Sequence, residues 1–203
     1  MMFKIRIKYI SQIDERDCGV AALSMALNHY KTHLSLAKLR DLAKTDMEGT
    51  TALGIVKAAN ALDFETMPIQ ADLSLFDKKD LPYPFIAHVI KEGKYPHYYV
   101  VYGMKGDQLL IADPDNTVGK TKMTKARFNE EWTGVSIFIA PNPTYKPTKE
   151  KKRSLSSFIP VITRQKLLVI NIVIAALLVT LVSILGSDYL QCIIVTSIPD
   201  NMK

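Results

Sequence analysis

Apolar residues recur at helical spacing in Val20, Leu23, Met25, Ala26 and Leu27, directly after the polar stretch Asp14-Glu15-Arg16-Asp17-Cys18-Gly19. An apolar face with so abrupt a polar start predicts a helix running to about Tyr30, with Cys18 in its first turn. Ser35 reads as the N-cap of a second helix ending near Lys44, and Thr50 or Thr51 as the cap of a third ending near Leu62, because a hydroxyl there accepts a first-turn N–H. From Phe64 the period changes. Short β-branched and aromatic runs at 64–70, 84–91, 97–104, 108–113 and 135–140, separated by Gly93 and by Lys105-Gly106-Asp107, predict strands joined by turns. A short helix over 125–131, capped by Thr124, interrupts them. Helices followed by an antiparallel sheet make the fold class α+β.

Past residue 140 the pattern changes twice. Pro141, Pro143, Pro147 and Lys149-Glu150-Lys151-Lys152-Arg153 read as an extended charged linker, with 155–162 as an interfacial helix. Residues 167–186 then carry no charge, and twenty residues at ~1.5 Å each match a ~30 Å hydrocarbon core. Apolar character resumes past Asp188 as far as Val195, before Pro199. The chain therefore divides into an α+β domain over 1–142, a charged linker and interfacial segment over 143–166, a transmembrane helix over 167–195 and the start of an extracellular loop over 196–203.

Charge sets the orientation. The 203 residues carry 26 Lys and Arg against 20 Asp and Glu, a net +6. Lys149, Lys151, Lys152, Arg153, Arg164 and Lys166 precede the apolar run and only Lys203 follows it, so the rule that basic flanks stay inside puts the α+β domain on the cytoplasmic face of a cell membrane. Residues 1–9 contain no apolar core long enough for a signal peptide. The positive charge reads as a belt facing anionic lipid rather than a nucleic-acid footprint, since no aromatics are interleaved with the basic residues. A glycine-rich phosphate loop is missing from the sequence, so no ATP site is expected in this chain, nor any cofactor or metal.

Two cysteines, one in the domain and one in the apolar helix, predict free thiols. Cys192 reads as a small apolar helix residue. Cys18 is different: at a helix start, unpaired N–H groups and the dipole favour an anion, so the thiol pKa is expected to fall toward neutrality when a histidine pairs with it. Of His29, His33, His88 and His97, the last opens a predicted strand that turns at Lys105-Gly106-Asp107, and the hairpin register brings Asp113 beside it. Asp113-Pro114-Asp115-Asn116 is also turn chemistry. With Asp113 accepting one ring N–H of His97, the other nitrogen is left for Cys18, which makes a Cys, His, Asp triad. Gln12, six residues before Cys18, is placed to donate its amide N–H, with the Cys18 backbone N–H, to an oxyanion.

These segments, together with Asp46-Met47-Glu48-Gly49-Thr50-Thr51-Ala52-Leu53-Gly54, His97-Tyr98-Tyr99-Val100-Val101-Tyr102-Gly103, Ala112-Asp113-Pro114-Asp115 and Glu131-Trp132-Thr133-Gly134-Val135, resemble the N-terminal cysteine peptidase domain of bacterial peptidase-containing ABC transporters. Those transporters remove double-glycine leaders from bacteriocins and peptide pheromones during export. The resemblance extends through the linker and the first spanning helix, and is strongest to streptococcal competence-pheromone exporters and similar lactic-acid-bacterial bacteriocin exporters. It implies a papain-like fold, with Cys18 as nucleophile, His97 as base, Asp113 as its orienter and Gln12 as oxyanion donor. It also implies a double-glycine leader precursor as partner, docked as an amphipathic helix, with Met47, Leu53, Ile55 and Phe64 as apolar candidates for the docking surface. Further partners would be the lipid membrane and the remainder of a transporter or transporter homodimer; nucleic acid is not among them. ATP would bind in a nucleotide-binding domain, which this sequence does not contain, so transport is not assigned to it. Two other readings use the same residues: a non-catalytic domain that only docks leaders, and a papain-like amidase or acyltransferase.

Overall fold

The structure, a computed structural model, describes residues 7–78, 80–150 and 164–197. It divides into two compact units, Met1–Glu150 and Lys151–Lys203. In the first unit a 3-10 turn, Glu15–Asp17, leads into helix α1, Cys18–His29, followed by α2, Leu36–Ala43, and α3, Ala52–Asn60. Ser35 caps α2 by accepting from the Lys38 N–H, and Thr51 rather than Thr50 caps α3 by accepting from Gly54. Strands β1, Phe64–Gln70, β2, Phe85–Lys91, β3, Tyr95–Lys105, β4, Gln108–Ala112, β5, Lys120–Thr124, and β6, Trp132–Pro141, follow, with the short helix α4, Lys125–Glu131, between the last two. They form one antiparallel sheet in the order β1-β6-β2-β3-β4-β5.

β3 shows why the sheet needs cover on both faces. Tyr98, Val100 and Tyr102 pack with α1, including Val20, Leu23 and Leu27, whereas Tyr99 and Val101 pack on the opposite side with Phe76, Phe85, Phe128 and Trp132. A strand buried on both faces reads as a continuous apolar run instead of an alternating one, as 97–104 does. The helical layer comes close to α1: a Cβ on Gly19 would stand 2.7 Å from Thr50 Cβ. Only a residue without a side chain permits that approach, which fixes the start of α1 against the loop before α3.

The larger departures from the expected elements have physical reasons. β3 begins at Tyr95 and β6 at Trp132, two and three residues early, because their first residues complete ladders with Lys91 and Val89 of β2. β5 went unread because Lys-Thr-Lys-Met-Thr carries one large apolar residue; it is an edge strand paired only with β4, where charge is an asset. Residues 143–150, read as linker, are tied to the end of α1. The Tyr145 hydroxyl donates to the Tyr30 carbonyl at 2.7 Å and lies 2.6 Å from Thr32 Oγ1, while His33 N–H donates to Thr148 O at 2.8 Å. The interfacial helix expected over 155–162 lies outside the described residues, as does the chain beyond Ser197.

In the second unit the described residues form one helix, α5, Lys166–Ser197. Its stretch Lys166–Ile193 is long and apolar enough to cross a membrane. Thr180 and Ser183 turn their hydroxyls back onto the carbonyls of Ala176 and Val179, which satisfies these two donors within the helix.

Tyr145→Phe tests the tie on α1. With the hydroxyl gone, the loss should be about 1 to 2 kcal/mol, a fall in Tm of roughly 3 to 6 °C for a unit of this size. Calorimetry of a chain truncated after Glu150 measures it, and an unchanged Tm would make residues 143–150 a loose tail.

Candidate active site

Asp17, the residue before the thiol, shapes the loop that leads into α1. Its carboxylate is fully buried and accepts from the N–H groups of Ile13, at 3.2 Å, and Asp14, at 3.4 Å. On its other side it takes both ends of the Arg40 guanidinium from α2, with Nε to Oδ1 at 2.6 Å. A bidentate pair of this kind is directional, so the loop from Gln12 to Cys18 has one shape. The loop is fastened at its outer end too, since Gln12 N–H donates to Pro114 O at 2.9 Å and the Tyr9 hydroxyl donates to the same carbonyl at 3.2 Å. Gln12 is thereby held next to Asp113. Its Oε1 is buried without a partner among the described residues, and the residue lines the same cleft as His97.

Cys18 is the first residue of α1 and is buried. The expected fall in thiol pKa is not what this environment produces: burial pushes Cys18 up to about 11, against the backbone N–H groups of Gly19 and Tyr98, which act in the opposite direction. The charges of Asp113 and Asp17 add to the rise. Desolvation of a thiolate outweighs the helix start because the sulfur is enclosed by β3 as well as α1. Cys18 and His97 make no hydrogen bond with each other among the described residues.

His97 and Asp113 come together as the hairpin predicted. Val100 of β3 faces Ala112 of β4 in register, which puts Asp113 and His97 on one face of the sheet. His97 Nε2 lies 2.6 Å from Asp113 Oδ1. Nδ1 is then the ring nitrogen left to accept a proton. The Tyr99 ring stands edge-on to the imidazole at 5.7 Å. Asp113 is fully buried and its oxygens are shared: Oδ1 also accepts from Asp115 N–H at 2.9 Å, and Oδ2 from Lys91 Nζ at 3.0 Å. Lys91 was not singled out from the sequence. A lysine at a strand end reads as solvated, and the only signal was the pair Asp113 and Asp115, two acids that need a counter-charge.

His88 lies on the other face of β2, opposite Tyr98, with Nδ1 2.9 Å from Thr133 Oγ1 and no carboxylate partner among the described residues. Burial, with the nearby charge of His97, lowers its pKa. His29 and His33 stand at the far end of α1, where His33 meets Asn28. Two adjoining clefts flank Cys18 and His97. One, of about 440 Å³, is lined by Cys18, Thr50, His88 and Tyr98; the other, of about 580 Å³, by Gln12, Met47, Lys91 and His97. Glu15, Glu48 and Pro96 belong to both. Of the apolar docking candidates, Met47 and Leu53 are 80% and 60% exposed, but Ile55 and Phe64 are core residues, because the α3 face carrying Ile55 packs on the sheet. Among the described residues no cluster of His, Cys, Asp and Glu is arranged to hold a metal ion.

Residues 6–144 match the family model described as the peptidase C39 family. The chain is 92% identical over 202 residues to the mesentericin-Y105 transport/processing ATP-binding protein MesD of Leuconostoc mesenteroides, covering all of this chain but 28% of that relative. Among solved structures it is similar to the peptidase domain of Streptococcus ComA, a bifunctional ABC transporter in a quorum-sensing pathway, at 55% identity and TM-score 0.66, covering 68% of this chain and all of that one. It is also similar to a double glycine motif protease from an AMS/PCAT transporter in complex with the leader peptide, at 27% identity and TM-score 0.61, covering 68% and 93% of the two chains.

The environment of Cys18 has a direct readout. In a Cys192→Ser chain with the cleft empty, the rate of alkylation by iodoacetamide should still be climbing at about pH 9, because the reactive thiolate is scarce below its pKa. A plateau reached below about pH 7 would mean that thiolate and imidazolium are already paired before substrate arrives.

Proposed function

The chain belongs to the peptidase C39 family, and from that premise we propose that it is a membrane-tethered cysteine endopeptidase cutting after the double glycine of a bacteriocin or pheromone leader. The observation that carries this reading is the pairing of His97 with the buried Asp113 at 2.6 Å, beside a thiol at the start of α1. The curated relatives are processing and transport proteins of which this chain spans about a quarter, so ATP-driven export, a transporter homodimer and the choice of precursor belong to this proposal as properties of the longer protein.

In the reaction, His97 Nδ1 takes the Cys18 proton as substrate fills the cleft and brings the two side chains together, a closure common in sites whose hydrogen bonds are incomplete when empty. The sulfur attacks the carbonyl carbon of the second glycine, a C–S bond forms, and the carbonyl electron pair moves onto oxygen. Gln12 Nε2–H and the Cys18 backbone N–H receive that charge. Collapse breaks the C–N bond while the imidazolium gives its proton to the departing amine, leaving a thioester. Water then gives a proton to His97, adds to the thioester carbonyl, and expels the sulfur, which recovers the proton from the ring. Asp113 keeps its charge throughout and holds the ring in one tautomer.

Glycines at the cut suit a cleft that closes on the substrate backbone, with affinity coming from contacts remote from the bond. Met47 and Leu53, exposed near the clefts, are apolar positions suited to a leader helix. The apolar stretch Lys166–Ile193 supports a membrane crossing, and the basic residues before it support a cytoplasmic face for the peptidase.

Cys18→Ala should abolish cleavage of a peptide with a Gly-Gly junction while leaving its binding within about threefold, since docking and chemistry use different groups. His97→Ala should be equally inactive and His88→Ala should keep most activity. Product analysis by mass spectrometry checks all three. Cleavage by the Cys18 variant would remove the nucleophile assignment, equal losses at both histidines would put the base on the wrong strand, and binding without cleavage by the unaltered chain would favour a docking domain.

A further inference from the structure

Asp113 has a second cationic partner that the proposed reaction leaves without a task. Lys91 ends β2, and the register of β2 on β3, Val89 facing His97 and Lys91 facing Tyr95, puts its side chain on the face that carries His97 and Asp113. Nζ lies 3.0 Å from Asp113 Oδ2 and 3.4 Å from Asp115 Oδ2, with the lysine side chain 22% exposed and Asp113 not exposed at all. The two oxygens of one buried carboxylate are thus divided between an imidazole and an ammonium. We infer that Lys91 is a positioning residue of the peptidase, fixing the Asp113 carboxylate plane for His97 and offsetting part of its charge. This rests on the triad reading given above.

A fully buried carboxylate met only by a neutral imidazole and one backbone N–H is short of partners, and its field acts on everything near it. Left without a cation it would hold protons on nearby groups, the Cys18 thiol among them, and so oppose formation of the attacking thiolate. The direction is visible already, since the charge of Asp113 contributes to the rise at Cys18. An ammonium on Oδ2 counters that field without competing for Oδ1. Although burial opposes the charge on Lys91, the hydrogen bond and charge of Asp113, with those of Asp115, outweigh it and hold the ammonium above the ordinary lysine range. Lys91 is therefore charged across the working range.

Other charged and titratable groups face the same point. Asp115 shares the ammonium from the β4–β5 connection, and the Tyr9 hydroxyl reaches Pro114 O from the N-terminal segment. Tyr99 of β3 donates to the buried Glu131, which Arg127 also contacts. His88 lies near His97, and Asp17, paired with Arg40, near Cys18. Glu15, Arg16, Glu48 and Glu92 line the open cleft. Lys91 is the cation that touches Asp113 among the described residues, so replacing it should change the titration and not only the stability.

The test is kcat/KM against pH for the full chain in detergent micelles, with a synthetic peptide carrying a Gly-Gly junction. Lys91→Gln, which keeps a donor but no charge, should move the acid limb up by about one pH unit, and Lys91→Arg should leave it within about a quarter of a unit, since the charge is retained. Lys91→Met serves in the same role should the glutamine variant not fold, as judged by circular dichroism. Without substrate, iodoacetamide should alkylate Cys18 several-fold more slowly in Lys91→Gln at a fixed pH near neutrality. An unmoved acid limb in a folded variant, even with kcat reduced, would overturn the proposal by making Lys91 structural or a substrate contact. Activity in Cys18→Ala or His97→Ala would instead bring down the triad reading itself, and neither measurement involves Lys91.

Discussion

A carboxylate removed from water has to be met by donors, and around Asp113 those donors come from three directions. His97 on β3, Lys91 on β2 and the N–H of Asp115 each take one of its lone pairs. The next residue, Pro114, cannot donate, but its carbonyl accepts from Gln12 and Tyr9. One buried charge and its neighbour therefore bring together His97, Lys91 and Gln12. An unpaired charge at that depth is far less tolerable than any one of these bonds is strong, which is what makes the arrangement specific.

The thiol arrives by a separate route. α1 is placed by its apolar face on β3, and its first turn is registered by two local constraints: the absent side chain at Gly19, which lets Thr50 approach, and the Asp17–Arg40 pair, which shapes the loop from Gln12. Cys18 and His97 thus belong to different layers that share β3. The thiol backs onto Tyr98 and the base alternates with it on the same strand. Burial raises the Cys18 thiol pKa, and in the proposed reaction it is the bound substrate that brings Cys18 and His97 into contact.

Much of this was legible in the residues. The helix start at Cys18 followed from the apolar period beginning after Asp17, and the His97–Asp113 pairing from one turn, Lys105-Gly106-Asp107, because a hairpin tolerates only small errors of register; the bulge between Val101 and Gly103 lies within that margin. What was not legible depends on partners remote in sequence. The burial of the Cys18 thiol comes from β3, and the contact of Lys91 with Asp113 from β2 and β4 lying on either side of β3. The tie of Tyr145 to Tyr30 and Thr32 spans more than a hundred residues. β5 was missed for a local reason, since an edge strand of lysines and threonines looks like a loop.

The division of Asp113 between His97 and its other partners is best tested by the imidazole itself. Nitrogen-15 NMR of His97 in histidine-labelled protein, at a pH where the ring is neutral, reports which nitrogen carries the proton. The expected form is the Nε2–H tautomer, with its proton shifted downfield by the bond to Asp113 and that shift lost in Asp113→Ala. A ring protonated at Nδ1, or one whose signals ignore the loss of Asp113, would contradict it.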